Sequence, residues 1–350
     1  MTKISIGMSL QSGAWGGGNQ FGKALTQYLG DQGERVSHDL EDRDLDIILL
    51  AEPDARLRIS AYDHRDILLY LLLKNPNAIV VHRINNTSEA RDDLAKTFNH
   101  YRIHANQIAD HTVFVSQWVK DRYLESGFNR LRPWSVILNG GDHHLWQPGE
   151  PPQKKQEKLL KLVTHHWSNH WNKGFDVYQQ LDRLLADPQW AERIEFTYIG
   201  RVPKDFHFER ARLIEPLSGE ALAQELRRHD AYITAARHES GGNHNLEAGL
   251  CGLPLLYLDS GSMVEYCNGY GIEYTPETLE AKLEEMLQTF PQWAARMVGF
   301  PHTAQRMCQN YHDLFQQLLA QRPRILAQRR WLRRIPWILS TLTKKNRPPP

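Results

Sequence analysis

At 350 residues the chain is too long for one comfortable hydrophobic core and reads as two domains or one large one. Its 41% hydrophobic and 24% charged residues are ordinary for a soluble globular protein. No apolar run is long enough to span a bilayer, and Met1-Thr-Lys-Ile-Ser-Ile6 lacks a secretory apolar segment. Three cysteines without metal-ligand spacing favour free thiols in a reducing, cytoplasmic compartment.

In chain order the pattern alternates strand and helix. Ile4–Leu10 predicts a strand, Ala14–Gln20 a glycine loop, and Phe21 to about Gly30 a helix. Leu45–Leu50 and Ala78–Val81 are apolar enough for buried parallel strands. A long helix is expected over Glu89–Ile108, a strand at His111–Val115, a helix from Gln117 and a strand at Ser135–Leu138. After a polar stretch with Pro148, Pro151 and Pro152 the alternation restarts. Strands are expected at Leu159–Thr164, Ile194–Ile199, Ala231–Thr234 and Leu255–Leu258, with helices from Gly174 and Gly219 and a helical remainder over Thr275–Ala320. Two successive sets of βα units imply an α/β chain of two doubly wound, Rossmann-like domains facing a cleft. The expected boundaries are 1–145, a linker 146–158, 159–320 and a basic segment 321–350.

Net charge is +1, but nine Lys or Arg and no Asp or Glu fall between Gln321 and Pro350, leaving the rest of the chain at −8. With Trp331 and Trp337 among these cations, Arg322–Pro350 reads either as a segment lying on an anionic membrane or as a helix packed on the body with a basic end. No nucleic-acid motif accompanies it.

Several stretches carry chemistry. The loop Gly16-Gly-Gly-Asn-Gln-Phe-Gly22 follows a strand and opens a helix, the context of a phosphate-proximal loop, and it also fits a loose dinucleotide pattern. Acids Asp39, Glu41 and Asp42 lie roughly where a ribose partner would. His82, at the end of a buried strand, is expected to face the crevice where open α/β sheets bind ligands. His165, His166 and His170 invite a zinc reading without supporting Cys or Asp spacing. His100 and His104 lack the Glu of a metalloprotease pair, and Asp44-Leu-Asp46 leads into an apolar strand. Lys173, just before a helix, suits a leaving diphosphate.

Between the strands at 231–234 and 255–258 lies Glu239, a Gly241-Gly242 pair, Glu247 and Gly252-Leu-Pro254. A glycine loop entering a helix at the carboxyl end of a strand suits an anion. The two carboxylates, about 12 Å apart if all were helix, are too far apart to act on one bond. They suit the two ends of a long ligand such as a nucleotide sugar.

Taken in order, these stretches resemble a family 4 glycosyltransferase of the GT-B architecture. The resemblance rests on Gly17-Gly18, Val115-Ser116, Val136-Ile-Leu-Asn-Gly-Gly-Asp142, Lys173-Gly-Phe-Asp176, Tyr198-Ile-Gly-Arg201 and Leu217-Ser-Gly-Glu-Ala-Leu222. It continues through the E-x7-E element, Glu239 to Glu247, with its trailing Ala-Gly-Leu-Cys-Gly-Leu-Pro254, and Asp259-Ser-Gly-Ser-Met-Val-Glu265. It implies retaining transfer of a sugar from a UDP- or GDP-sugar, without essential metal or resident cofactor, to a glycan or lipid-linked acceptor in surface polysaccharide or glycolipid synthesis. It assigns His82, Lys173 and Glu239 as catalytic residues, with Glu239 on donor-sugar hydroxyls, Lys173 on phosphate and Glu247 on the ribose. Gly17, Gly18, Asn19, Arg201, Leu217, Gly242, Asn243 and His244 would complete donor binding. Two positions depart from the pattern. Trp167 and Ser168 stand where the family has a phosphate-clamp Arg, which leaves Arg201, His165 or His166 to supply that charge, and Gly241 stands where it has Phe. An NAD(P)-dependent oxidoreductase would explain the first glycine loop but not the second half. A catalytically silent scaffold binding a glycan or partner is the non-enzyme alternative.

Overall fold

The computed structural model describes residues 1–11, 17–149, 159–329 and 335–343. The tip of the first glycine loop, most of the expected linker, Trp331 and the end of the basic segment lie outside the described residues. The described chain divides into two compact units, one from Met1–Asn139 and Ala304–Pro350, the other from Gly140–Thr303.

The first unit opens with β1 (Lys3–Ile6), α1 (Gly17–Asp31), β2 (Arg35–Ser37), β3 (Ile47–Leu50), α2 (His64–Leu73) and β4 (Ile79–Ile84). It continues with α3 (Thr97–Asn106), β5 (His111–Phe114), α4 (Gln117–Glu125) and β6 (Trp134–Val136). The strands form one parallel sheet in the order β2-β1-β3-β4-β5-β6. Ile47, Ile48, Leu49 and Leu50 are all fully buried, the continuous apolar run that a parallel strand covered on both faces requires.

The second unit follows with β7 (Leu160–His166), α5 (Phe175–Leu184), α6 (Pro188–Ala191), β8 (Ile194–Gly200) and β9 (Arg212–Ile214). Then come α7 (Gly219–Leu226), β10 (Ala231–Thr234), α8 (Asn243–Leu250), β11 (Leu255–Leu258), α9 (Met263–Cys267), β12 (Gly271–Tyr274) and α10 (Leu279–Met297). This sheet is also all parallel, in the order β12-β11-β10-β7-β8-β9. Its core is aromatic-rich, with Phe175, Tyr178, Phe196 and Tyr198 fully or almost fully buried.

The chain ends with α11 (Ala304–Ala320), α12 (Arg322–Gln328) and α13 (Ile335–Thr343). Here the structure departs from the expected span 159–320, because α11 packs in the first unit. Its buried Met307, Tyr311, Leu314 and Phe315 share a core with Phe21, Leu25 and Leu29 of α1, and the Phe21 and Tyr311 rings lie 5.2 Å apart. The basic segment is likewise held on the body where it is described. Arg322 pairs with Asp46 at 2.5 Å, and the buried Arg329 guanidinium binds both Asp110 oxygens at 2.9 and 2.6 Å. Trp337 is buried and donates to the His104 carbonyl.

The long helix expected over Glu89–Ile108 is interrupted. A short 3₁₀ turn at Glu89–Arg91 gives way to α3 six residues later, with Asp92 and Lys96 in the left-handed region at φ 53° and 54°. The Asp93 carboxylate holds this break by accepting from the Phe98 amide at 2.6 Å and from the Thr97 and Ser88 hydroxyls. Asp favours such local bonds over a continuing helix.

Candidate functional site

In the second sheet β7 lies between β8 and β10. The chain leaves β7 to build one side of the sheet and later returns to the other through β10. Outside the carboxyl ends of two such strands, open α/β sheets leave a crevice for ligands. Most of the residues singled out by sequence in this half come from these two strand ends.

β7 runs two residues beyond its expected end, so His165 and His166 belong to the strand. A 3₁₀ turn at Trp171–Lys173 then leads into Gly174, at φ +87°. A Cβ there would lie 2.3 Å from both the Cβ and the carbonyl oxygen of Ala235. Glycine therefore lets the loop after β7 lie against the end of β10. The Lys173 ammonium meets the Glu239 carboxylate in an ion pair.

The Glu239 backbone is fixed from the other side. Its carbonyl accepts from the Ser262 amide at 2.8 Å and the Ser262 hydroxyl at 3.0 Å. A Cβ on Gly261 would sit 2.3 Å from that same oxygen, and His238 adopts φ 55° with its amide donating to Ser260 Oγ. Beyond this turn, α8 starts at Asn243 with Gly242 as its N-cap and no side-chain cap bond. The first amides of the helix are thus not closed off by a capping side chain. Gly242 is needed for space: a Cβ would meet the His244 ring at 2.6 Å and Asn245 Oδ1 at 3.0 Å. Only part of the stretch from Glu239 to Glu247 is helical, so the all-helix spacing does not apply.

Glu247, one turn into α8, is held by His165, whose Nε2 lies 2.8 Å from Oε2. His244 Nε2 sits 2.9 Å from Thr234 Oγ1, and His166 Nε2 2.8 Å from the Tyr178 hydroxyl. That hydroxyl also accepts from the Ala235 amide. The His166 and His244 rings are 4.9 Å apart. Two buried polar atoms here, His165 Nδ1 and Asn245 Oδ1, have no hydrogen-bond partner among the described residues. Buried polar atoms are rarely left so.

Electrostatics separates these groups. Burial raises the Glu239 carboxyl's pKa, but the opposing pull of Lys173 and His244 is larger, and the group ends below its ordinary value. Burial pushes the His244 ring down to about 3, with Lys173 and His165 adding to the effect against Glu239. Burial, then His244 and Lys173, hold His166 well below its ordinary value. At neutral pH both rings are uncharged, so His166 does not supply the cation that the missing clamp Arg would have brought. The zinc reading has no geometric support either. His165 and His166 are engaged with Glu247 and Tyr178, His170 Nδ1 accepts from the Asn172 amide, and among the described residues no group of His, Cys, Asp and Glu is arranged to hold a metal.

Arg201, at the end of β8, is exposed, and its amide donates to the His166 carbonyl. Leu217 is half-buried ahead of α7. Thus Lys173, Glu239, Gly242, Asn243, His244 and Glu247 form one cluster, with Arg201 reaching its edge through the backbone. Sequence reasoning missed Thr234, Tyr178 and the His165–Glu247 pairing. The signal for Tyr178 was its place one turn past Gly174; nothing local signals the other two.

The remaining predicted residues belong to the first unit. Gly17 and Gly18 open α1. Asn19 is buried with its amide spent on Gln11, accepting from the backbone N–H at 2.8 Å and donating to the carbonyl at 3.0 Å. His82 was expected to face a crevice, yet it has no exposed surface, because β4 continues to Ile84, two residues past it. Its Nδ1 lies 3.0 Å from the Asn106 amide nitrogen, while Nε2 has no partner among the described residues. Burial, with Arg102, His64 and Arg132 adding, holds its pKa well below the ordinary value.

No known family model matches the sequence, and no curated protein matches it. Solved structures match its fold. A sucrose-phosphate synthase from Thermosynechococcus elongatus aligns at TM-score 0.63 over 91% of this chain and 100% of its own, with 12% identity. The Anabaena protein HepE, solved with UDP and glucose, aligns at TM-score 0.63 over the same shares with 14% identity. WaaG, a glycosyltransferase involved in lipopolysaccharide biosynthesis, aligns at TM-score 0.60 over 89% of this chain and 99% of its own, with 12% identity. With two parallel six-stranded sheets, each its own α/β unit, this chain has the fold of the GT-B glycosyltransferases, built from two Rossmann-like domains.

Proposed function

We propose that the protein is a nucleotide-sugar glycosyltransferase of the retaining, metal-independent kind, whose second unit holds the donor. One observation carries the reading: Glu239 and Glu247 are held apart, by Lys173 and His165, on either side of the uncapped start of α8. A nucleotide sugar matches that layout, with sugar hydroxyls at Glu239, diphosphate along the amides of Gly242, Asn243 and His244, and ribose hydroxyls at Glu247. HepE solved with UDP supports trying uridine donors first.

In this reading the bond from the anomeric carbon to the diphosphate oxygen breaks, and the acceptor hydroxyl bonds to that carbon on the same face. The acceptor's proton leaves with the nucleoside diphosphate. Lys173 neutralises the negative charge that develops on the departing phosphate, an interaction stronger in the transition state than in the bound donor. The neutral His244 and His166 line the site without competing for the anion. His165 acts as a positioning residue by fixing the Glu247 carboxylate. No resident cofactor is needed, and the acceptor is a glycan or lipid-linked glycan. In the first unit the proposal keeps Gly17 and Gly18 at the start of α1, where Asn19 is bound to Gln11; His82, fully buried, is not in reach of a ligand.

The test is calorimetry with UDP, GDP and NAD(P), followed by a screen of UDP- and GDP-sugars for turnover by the purified protein. The reading requires a nucleoside diphosphate to bind and one donor to be consumed, with Glu239→Ala abolishing consumption. Tight NAD(P) binding without nucleoside diphosphate binding would overturn it. Diphosphate binding that survives Glu239→Ala, with no donor consumed, would assign a silent scaffold instead.

A further inference from the structure

The ion pair between Lys173 and Glu239 is the tie that a ligand would break. A phosphate that takes the Lys173 ammonium releases Glu239, yet both residues have to keep their places on the ligand. A second set of contacts joins the same two segments, the loop after β7 and the turn after β10. The Arg237 amide donates to the Asn172 carbonyl at 2.7 Å. Its guanidinium lies fork to fork on the Asp176 carboxylate, with Nη1 2.7 Å from Oδ1 and Nη2 2.6 Å from Oδ2. Asp176 stands three residues after Lys173, and Arg237 two residues before Glu239. This pair therefore bridges the same two segments as the ion pair of the site.

The fold of the unit does not need this brace. α5 is anchored by Phe175, Val177, Tyr178 and Leu181, and every residue of β10 is buried. The paired side chains are 30% and 53% exposed, and ion pairs in contact with water add little stability. What a bidentate guanidinium–carboxylate pair does supply is a fixed orientation. Each charge steadies the other: Arg237 is the first cause lowering the Asp176 carboxyl, and Asp176 the first cause raising Arg237. The orientation reaches Glu239 through one residue, His238, at φ 55°. A residue other than glycine keeps such a backbone only where its surroundings over-determine it. Here Arg237 holds one side, while Ser260 and Ser262 hold the other.

We propose that Arg237 and Asp176 are positioning residues, a brace that keeps the Glu239 turn in register with the Lys173 loop while a donor occupies the site. The inference rests on the nucleotide-sugar reading of this site, and neither residue touches the reacting atoms in it. It is tested with Arg237→Met, Arg237→Lys, Asp176→Asn and the double variant Arg237→Met/Asp176→Asn. For each, calorimetry gives UDP and GDP affinity, and thermal unfolding gives the midpoint. Steady-state kinetics give kcat and KM for the UDP- or GDP-sugar that the parent chain consumes. A nucleoside diphosphate has no sugar for Glu239 to hold. Its affinity should therefore change less than about threefold, while kcat/KM for the donor falls at least about tenfold at an unchanged midpoint. Arg237→Lys, which keeps the charge but not the fork, should lose less than Arg237→Met. The double variant should be no worse than Arg237→Met alone, because the same contact is broken in both. Variants with parental kcat/KM overturn the inference and leave the nucleotide-sugar reading standing. So does nucleoside diphosphate affinity lost in Arg237→Met but kept in Asp176→Asn, which would put Arg237 on the phosphate itself. A fall of affinity and midpoint together in every variant overturns it too, and would make the pair a structural contact only. A parent chain that consumes no UDP- or GDP-sugar overturns the nucleotide-sugar reading, and the inference with it.

Discussion

Lys173 and Glu239 satisfy each other's charge, so a phosphate arriving at Lys173 competes with a carboxylate for the same ammonium. Lys173→Met removes the cation and leaves Glu239 without its ion partner. Losing one charge-assisted bond of this kind costs about 1.5–3 kcal/mol, a roughly tenfold to 150-fold weaker nucleoside diphosphate affinity by calorimetry. His165 acts at one remove. His165→Phe keeps a ring in the pocket but frees Glu247, and is expected to raise the donor KM at little-changed kcat. An equal fall in kcat would show instead that His165 touches the reacting atoms. Gly242→Ala has to displace the His244 ring, and overpacking of that kind costs about 1–3 kcal/mol, visible as a lowered unfolding midpoint together with weaker nucleotide binding.

Elements were legible in the sequence where one physical signal ruled them. Ala231–Thr234 and Leu255–Leu258 stand where the apolar runs put them, since a strand buried on both faces leaves little choice of residue. The strands β2, β9 and β12 were not legible: they are edge or near-edge strands of three or four residues, too short for alternation to register. That Glu239, Glu247 and Lys173 lie in loops and helix starts at one set of strand ends could be read, because glycines mark where strands give way to helices. Their partners could not, because His165 and Glu247 are separated by 82 positions and meet only once β7 and β10 are neighbours. His82 shows the same limit from the other side, since where β4 stops is set by pairing with β5, not by its own composition. Gly174 joins the loop after β7 to the end of β10. Gly174→Ala combines a strained φ with a backbone collision and is expected to cost more than the 0.5–1 kcal/mol or so of a simple Gly effect in a helix or strand interior, with lost nucleotide binding as the more sensitive readout.

Across the whole molecule, buried histidines set the acid limit. Burial is the first cause in each of six: His64 and His111 fall to about 4, His244 to about 3, and His82, His166 and His229 also fall below the ordinary value of 6.5. The folded chain therefore binds fewer protons than the unfolded chain below about pH 6.5, so stability is lost as pH falls from there toward the folded values. Each ring contributes at most about 1.4 kcal/mol per pH unit. Unfolding at pH 5 should take up about one proton at each of His64, His111 and His244, measured by calorimetry in buffers of differing ionisation enthalpy. The Arg329–Asp110 pair, 2% exposed on both sides, is the charge pair whose loss should matter most for the first unit. Asp110→Ala leaves a buried guanidinium without its partner, at a cost of about 3–5 kcal/mol. By contrast, Gly140–Thr303 is continuous in sequence and carries its own core, and expressed alone it should fold with cooperative unfolding.

The split of the first unit around the second also fixes an order of events during synthesis. Phe21, Leu25 and Leu29 of α1 are made early, but Tyr311, Leu314 and Phe315, which cover them, follow only after the whole of Gly140–Thr303. At ribosomal speed that interval lasts roughly fifteen to fifty-five seconds, ample for the intervening unit to fold first. During it the uncovered face of α1 is the apolar surface that a chaperone, or a neighbouring nascent chain, meets first.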